Sequence, residues 1–235
     1  MFTTSSVLEA LEAAGSAQTR KTYRRHGVGE NQYGVSYAML GALEKQIRRE
    51  KDPARDHQIA LDLWATGNHD ARVLALRLAD PKRADEALLN GWVRDLDNYV
   101  ITDAFSSFAA KTAHAQPLAY KWIDADSEWI EAAGWNVLGQ LAFNGALPDA
   151  DCARLLPRIE GQLHASKNRV RYAMNNVIIS IGGRGGELAS AATAAAQRIG
   201  LVIVDHGETG CKTPDAAPYI ERILARKGAQ VVKPG

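Results

Sequence analysis

The sequence predicts an all-α protein, and three observations support this prediction. Apolar residues recur at helical spacing (i, i+3, i+4, i+7) through most of the 235-residue chain. Capping residues, glycines and prolines divide this pattern into some ten or more segments of about 10 to 17 residues. A single stretch, LVIVDHGETGCKTPDA at 201–216, reads as strand or irregular loop.

The composition is typical of a globular protein and excludes several classes. Hydrophobic residues make up 46% and charged residues 23%, and no apolar run approaches the roughly 18 residues of a membrane span. Two cysteines exclude a disulfide scaffold and favour a reducing cytoplasm. The net charge of +1 means that any nucleic-acid binding requires charge segregated onto one face. No composition shift marks a linker, so residues 1–235 are predicted to form a single domain.

The first part of the chain shows clear helix boundaries. The first 25 residues predict one or two helices, and a turn-rich loop follows at 28–35. Ser36 is placed to cap the next helix, and Pro53 begins another. The stripe of the Ser36 helix is formed by Met39, Leu40, Leu43 and Ile47.

The boundaries continue beyond Trp64. Gly67 is expected to end one helix, and Asn68 or His69 to turn into the helix at 70–80. The segments 124–143 and 166–183 each predict a long helix, and a last helix is expected at about 217–228 before a frayed tail at 229–235.

The central stretch from Trp92 to Phe108 carries the most informative pattern. On a helix, Trp92, Asp95 and Tyr99 would share one face, and a second helix is plausible from Leu96 onward. Asp97 lies at the N-terminal end of the apolar stripe of that second helix. The carboxylate has two interpretations, which are not exclusive. In the first interpretation Asp97 is the N-cap of the helix, and in the second it is an acid held in a cleft between helices beside Trp92.

The apolar segments recur along the chain. Those at 71–79, 99–110, 130–141 and 170–181 begin about 30 to 40 residues apart. Helical pairs at such a period stack into an α-solenoid with a concave binding face. Because the repeat is degenerate, an irregular all-α bundle remains the alternative.

Two basic clusters are candidates for phosphate contacts. Arg20, Lys21, Arg24 and Arg25 occur without an intervening acid. Further along, four residues of one predicted helix region could meet phosphates: Lys167, Arg169, Arg171 and Asn175. In both cases the alternative is a solvated helix face. Arg72 either points toward a DNA groove or pairs with Asp70 or a neighbouring acid.

The C-terminal loop contains Asp205, His206, Glu208 and Cys211, which could suggest a metal site. Their spacing matches no standard zinc pattern, so we predict no metal. The loop is instead expected to pack the terminal helix, with Cys211 as a small buried residue.

Six segments in order suggest a family. They are NQYGV at 31–35, LWATGNHDARVLA at 63–75, the Trp92/Asp97 stretch, EWIEAAGWNVLGQLA at 128–142, RYAMNNVIISIG at 171–182 and VDHGETGCKTPDAAPYIER at 204–222. The set resembles the bacterial DNA alkylation repair family, the AlkD-like HEAT-repeat proteins. The resemblance implies an α-solenoid of HEAT-like repeats with a positive concave groove for duplex DNA. It also implies excision of N3- or N7-alkylated purines without a metal or other cofactor.

The resemblance implies roles for particular residues. Asp97 occupies the position of the family's catalytic Asp, which stabilises the cationic sugar as the glycosidic bond breaks. Trp92 lies one residue from the expected aromatic, and Ile179 stands where a second Trp would be. Trp129 or Trp135 could supply a groove aromatic from a neighbouring helix. Glu131 and Ala132 occupy positions where the resemblance implies basic residues that contact DNA.

Two hypotheses follow for function. The first is a monomeric, cytoplasmic DNA glycosylase that associates with the nucleoid and acts on alkylated duplex DNA. The second is a catalytically silent HEAT-repeat scaffold that binds DNA or a protein partner.

Overall fold

The computed structural model describes residues 1–231, and within that range it contains α-helices and 3-10 turns but no strand. The all-α prediction is confirmed. The α-helices are α1 (Thr4–Ala13), α2 (Ala17–Arg25), α3 (Tyr37–Arg48), α4 (Pro53–Ala65), α5 (His69–Leu78), α6 (Glu86–Trp92), α7 (Tyr99–Ala109), α8 (Ala115–Trp122), α9 (Glu128–Phe143), α10 (Asp149–Gln162), α11 (Asn168–Gly182), α12 (Gly186–Ile199) and α13 (Ala216–Val231). The 3-10 turns are Pro81–Arg83, Val93–Asp95 and Leu163–Ala165. Residues 232–235, in the tail expected to fray, lie outside the described range.

Local chemistry sets the helix boundaries. Ser36 caps α3 by accepting a hydrogen bond from the Met39 N–H at 3.3 Å, and Pro53 is the first residue of α4. Asn68 caps α5 by accepting from the Ala71 N–H at 3.2 Å. Gly67 has a φ of +69°, a left-handed conformation that ends α4 at low cost. These boundaries confirm the sequence predictions.

The chain forms two compact units. Unit 1 comprises Met1–His114 with Gly207–Thr209, and unit 2 comprises Ala115–His206 with the residues from Gly210 onward. In unit 1, α5 packs against α3, α4 and α7, and its apolar residues are almost entirely buried. Whether residues 1–235 behave as a single domain stays a prediction.

Unit 2 is centred on the pair α9 and α11. Helix α8 packs on α9, while α12 and α13 pack on α11. At Gly134 of α9, a Cβ atom would lie 2.8 Å from the Ile123 backbone nitrogen and 2.9 Å from the Ala119 carbonyl oxygen. Glycine at this position therefore allows the end of α8 to approach α9 closely.

The central stretch differs from its prediction. Helix α6 ends at Trp92, the 3-10 turn Val93–Asp95 follows, and α7 begins only at Tyr99. Tyr99 therefore does not share a helix face with Trp92 and Asp95, because the backbone becomes extended at Leu96. Trp92 and Asp95 do lie together, since both contact Trp64.

One residue of a predicted apolar stripe, Met39, is half-exposed, and the prediction that Cys211 is buried is wrong. Met39 is 50% exposed, because α3 turns its Leu40 and Ile47 side toward the core. Cys211 is exposed, although the irregular loop is anchored on either side of it. The anchors are the Asn168–Asp205 hydrogen bonds and the bond from Asn175 to the Pro214 carbonyl. No helix within residues 1–231 is long and apolar enough to cross a membrane.

Candidate nucleic-acid interface

Asp97 lies exposed just before α7, between two buried neighbours, Leu96 and Asn98. Asn98 is the N-cap of α7, because its Oδ1 accepts from the Ile101 N–H at 3.1 Å. The Asn98 side-chain amide also donates to Asp97 Oδ1 at 2.7 Å. The N-cap interpretation of Asp97 is therefore wrong, and its carboxylate lies at the surface without a capping role.

The Asp97 carboxylate borders a small cleft within unit 1, which we call the Asp97 cleft. Its volume is about 30 Å³. The lining comes from three segments: Val28, Gly29 and Asn31; Gly67, His69 and Arg72; and Asp97, Asn98 and Ile101. A water molecule needs about 10–15 Å³ of such space, so the cleft accommodates water but not a purine base.

Arg72 places a positive charge on the wall of the Asp97 cleft. Its guanidinium lies 5.1 Å from the centre of the Trp64 ring, and Nη1 donates to the Asp95 carbonyl at 3.0 Å. Nη2 is 3.5 Å from the Asp95 carboxylate. Arg72 therefore forms an ion pair with a neighbouring acid, and its partner is Asp95 rather than Asp70. The side chain is 15% exposed, and its edge faces the cleft.

His69 is a lining residue that sequence reasoning read only as a turn. Burial lowers the pKa of its imidazole, an effect that the nearby Asp70 and Asp97 carboxylates partly oppose and Arg72 reinforces. Its backbone N–H donates to the Asn31 carbonyl at 2.9 Å. At neutral pH, His69 therefore contributes an uncharged ring to the cleft wall.

Asp70, also missed as a functional residue, fixes the loop that forms one side of the cleft. Its fully buried carboxylate accepts hydrogen bonds from the backbone N–H groups of Tyr33, Gly34 and Val35 at 2.7, 2.9 and 2.8 Å. In the sequence, Asp70 is indistinguishable from an ordinary acid in the first turn of a helix, so no signal marked it. The acceptor-only chemistry of a carboxylate suits three converging donors.

The predicted aromatic neighbours of Asp97 lie in the core. Trp92 is 5% exposed and stacks on Trp64, with ring centroids 4.4 Å apart and an 11° angle between planes. Trp135 is fully buried beneath the Arg158 guanidinium. The predictions that Trp92 and Trp135 face DNA are therefore wrong, because burying a large ring in the interior is strongly favourable. Trp129 is half-buried, and its role stays a prediction.

The predicted phosphate-contacting residues of α11 differ in their exposure to solvent. Asn175 is 1% exposed, and its amide donates to the Pro214 carbonyl at 2.9 Å. Arg169 is 8% exposed and packs over Tyr172 at 4.6 Å. Neither side chain is available to a phosphate, so these two predictions are wrong. Arg171 is half-buried, and Lys167 is exposed.

Lys167 has an acidic neighbour in α9. Its Nζ lies 3.7 Å from the Glu131 carboxylate. Burial raises the pKa of the Glu131 carboxyl, and the Lys167 ammonium partly offsets this effect. The positive charge of this region is therefore partly neutralised within unit 2.

The basic cluster of α2 remains exposed. Arg24 pairs with Glu30 at 2.5 Å. No ion pair within the described residues involves Lys21 or Arg25, which lie one helical turn apart. These three cations and Glu208 border a shallow hollow of about 550 Å³. We call Lys21, Arg24 and Arg25 the α2 basic patch.

Comparison with known proteins assigns the chain to a family. Residues 7–209 match the family described as DNA alkylation repair enzyme. The chain belongs to this family. Two similar relatives are the uncharacterized proteins Lin0241 of Listeria innocua and Lmo0209 of Listeria monocytogenes. They are 32% identical over 230 and 231 residues, respectively, and each alignment covers 96% of this chain and 99% of the relative.

A solved structure extends the family assignment to the fold. At 28% identity it aligns with a TM-score of 0.83, over 96% of this chain and 95% of its own. It represents a new family of proteins related to the HEAT-like repeat DNA glycosylases, with affinity for branched DNA structures. The predicted α-solenoid of HEAT-like repeats is thus confirmed. Among the described residues, no group of three or more His, Cys, Asp or Glu side chains is placed to hold a metal ion.

Proposed function

We propose that this member of the DNA alkylation repair enzyme family binds DNA and prefers branched DNA to a regular duplex. The observation that carries the proposed DNA binding is the exposed α2 basic patch, and the observation against excision is the position of Trp92. Its ring stacks on Trp64 in the core instead of standing beside Asp97. Excision would need an aromatic surface beside Asp97 that is accessible to the damaged base. A protein that only binds DNA needs exposed cations to contact phosphates. The solved relative with affinity for branched DNA supports the same choice.

The α2 basic patch is the proposed phosphate contact. Lys21 and Arg25 are exposed, and each can replace a counterion condensed on the DNA backbone. Binding through such contacts weakens as the salt concentration rises, because releasing a condensed counterion into a more concentrated salt solution gains less entropy. Because the net charge of the chain is only +1, this local cluster matters more than any global attraction.

The test compares a four-way junction with a duplex of the same sequence by fluorescence anisotropy. We expect tighter binding of the junction, and affinity for both that falls as salt is raised from about 50 to 200 mM. The double variant Lys21→Glu/Arg25→Glu should weaken both complexes and reduce the salt slope by about 2. Lys45→Glu/Arg49→Glu, at two exposed positions that also lie four residues apart at the end of α3, is the control with the same change of charge. Equal affinity for junction and duplex would contradict the preference for branched DNA.

Excision of N3- or N7-alkylated purines is the second candidate function, and one observation favours it. Asp97 presents an exposed carboxylate to a cleft that accommodates water, with the Arg72 charge on the same wall. An alkylated purine is already cationic, so it leaves with the electron pair of its glycosidic bond. Asp97 would stabilise the cationic sugar and accept a proton from the water that attacks the anomeric carbon. No cofactor enters this reaction.

An excision assay on methylated duplex DNA tests this second function. We expect the wild type to release free 7-methylguanine and Asp97→Asn to release it about 10²- to 10³-fold more slowly, the usual cost of removing one electrostatic stabiliser. Glu12→Gln, which removes the charge of an exposed acid elsewhere in unit 1, controls for a general change of charge. If the wild type releases no base although it binds the DNA, the excision hypothesis is wrong and the binding proposal stands.

A further inference from the structure

Unit 2 contains a groove that the proposed DNA contacts do not use. It lies between the end of α9, the second half of α11 and α13, and its volume is about 400 Å³. This volume falls within the range of small-molecule sites in proteins. Three aromatic side chains line it, Phe143, Tyr172 and Tyr219, and we call it the aromatic groove.

The rings of the aromatic groove are unusually accessible. Phe143 is 65% exposed and Tyr219 is 39% exposed, although both are large apolar side chains. Ile179 forms a buried part of the lining. Exposed rings that converge on one groove point to a ligand with a flat apolar face.

One exposed guanidinium group lies beside the aromatic groove. Arg222 is exposed and lies 5.1 Å from the centre of the Tyr219 ring. The side chains that line the groove include no acid. This charge favours an anionic ligand, and it distinguishes the groove from a site for a purely apolar peptide.

Polar groups complete the lining. The Asn176 amide offers both a donor and an acceptor, and the Ser180 hydroxyl offers the same combination one turn further along α11. Such groups can meet the hydrogen-bonding edge of a base, while the rings contact its face. Flat rings, cations and amide-type polar groups together are the features by which proteins hold single-stranded nucleic acid.

We propose that the aromatic groove binds an unpaired nucleobase of DNA, stacked on Phe143, the more exposed of its rings, with Arg222 near the adjoining phosphate. This inference rests on the proposed DNA binding and deepens it. The branch point interrupts the continuous base stack of a regular duplex, so a base there costs less to unstack. The groove thus supplies a physical reason for preferring the branched form.

The experiment uses the full chain and a gapped duplex whose unpaired bases include 2-aminopurine, which loses fluorescence when it stacks. We expect the wild type to quench this probe and Phe143→Ala to lose the quenching. Phe143→Ala should also bind the gapped DNA at least about five-fold more weakly, the lower end for one stacked base. Phe143→Trp should retain both properties, while Phe143→Leu, which keeps apolar bulk but no ring, should behave like the alanine variant.

Leu201→Ala is the matched control, since Leu201 is also an apolar residue of unit 2 and is 71% exposed. It should bind and quench like the wild type. Unchanged quenching in Phe143→Ala, or equal behaviour of the leucine and tryptophan variants, would overturn the inference. The fully paired four-way junction separates the two proposals. If the wild type quenches the gapped probe but does not prefer the junction, the base site stands and the proposed preference for branched DNA fails.

Discussion

The carboxylate of Asp70 provides the sharpest test of how the Asp97 cleft is held. Oδ2 accepts from the Tyr33 and Gly34 N–H groups, and Oδ1 accepts from the Val35 N–H, all within 2.9 Å. Asp70→Asn changes almost nothing in size but replaces one oxygen by an NH₂ group. If the amide oxygen takes the Oδ2 position, the NH₂ group faces the Val35 N–H, and two donors then oppose each other.

The cost of this substitution can be worked from the bonds lost. One charge-assisted hydrogen bond contributes about 1.5–3 kcal/mol, and a buried N–H left without an acceptor costs about 1–3 kcal/mol. The two remaining bonds also lose the charge of their acceptor. We therefore expect Asp70→Asn to lower the free energy of unfolding by about 3–5 kcal/mol. This is a large share of the roughly 5–15 kcal/mol that stabilises a typical domain.

Urea denaturation followed by circular dichroism measures this loss. The midpoint should fall while the slope of the transition stays constant, because the native surface is unchanged. Hydrogen exchange of the amides of residues 33–35 should accelerate most. Glu30→Gln, in an exposed ion pair of the same loop, is the control and should change stability little. A loss below about 1 kcal/mol for Asp70→Asn would refute the reasoning that three bonds to a buried charge hold the loop.

Three further predictions concern the same unit. Gly34→Ala should lower the melting temperature more than Gly27→Ala: both have a positive φ, but a Cβ at Gly34 would lie 2.7 Å from the Ser16 carbonyl oxygen, whereas Gly27 faces open space. Trp92→Ala should cost about 3–5 kcal/mol in urea denaturation, because it removes a ring from the core. His69 has a pKa below its unfolded value of about 6.5, so its contribution to stability is fully present above that pH and is lost as the pH falls toward the folded value. His69→Gln should therefore flatten the decline in unfolding free energy between about pH 7 and 5.

The sequence was sufficient where structure depends on nearby residues. Ser36, Pro53 and Asn68 mark helix starts because a cap acts on groups two or three positions away. The same rule cannot decide between Asp97 and Asn98 as the N-cap of α7. Both residues are good caps, and which one occupies the position depends on where the turn Val93–Asp95 ends.

Contacts between distant segments could not be predicted from one sequence. The Asp70 bonds join positions more than 30 residues apart, and no spacing rule connects them. The stack of Trp64 on Trp92 joins two helices in the same way. Periodicity identifies the apolar face of a helix. It does not show whether that face packs against another helix or is available to DNA.

Ile179 shows what this limit means for function. A residue-by-residue comparison finds isoleucine where a tryptophan is expected, and this difference favours a scaffold without a base contact. In the structure, Ile179 lines a groove to which Phe143, Tyr172 and Tyr219 contribute rings from three different helices. Because a ring at one position can be replaced by rings from neighbouring helices, the substitution at 179 is not evidence against contact with a base. Whether a base is bound depends on the surface that the helices build together, and for this reason the decisive variants are at Phe143 rather than at Ile179.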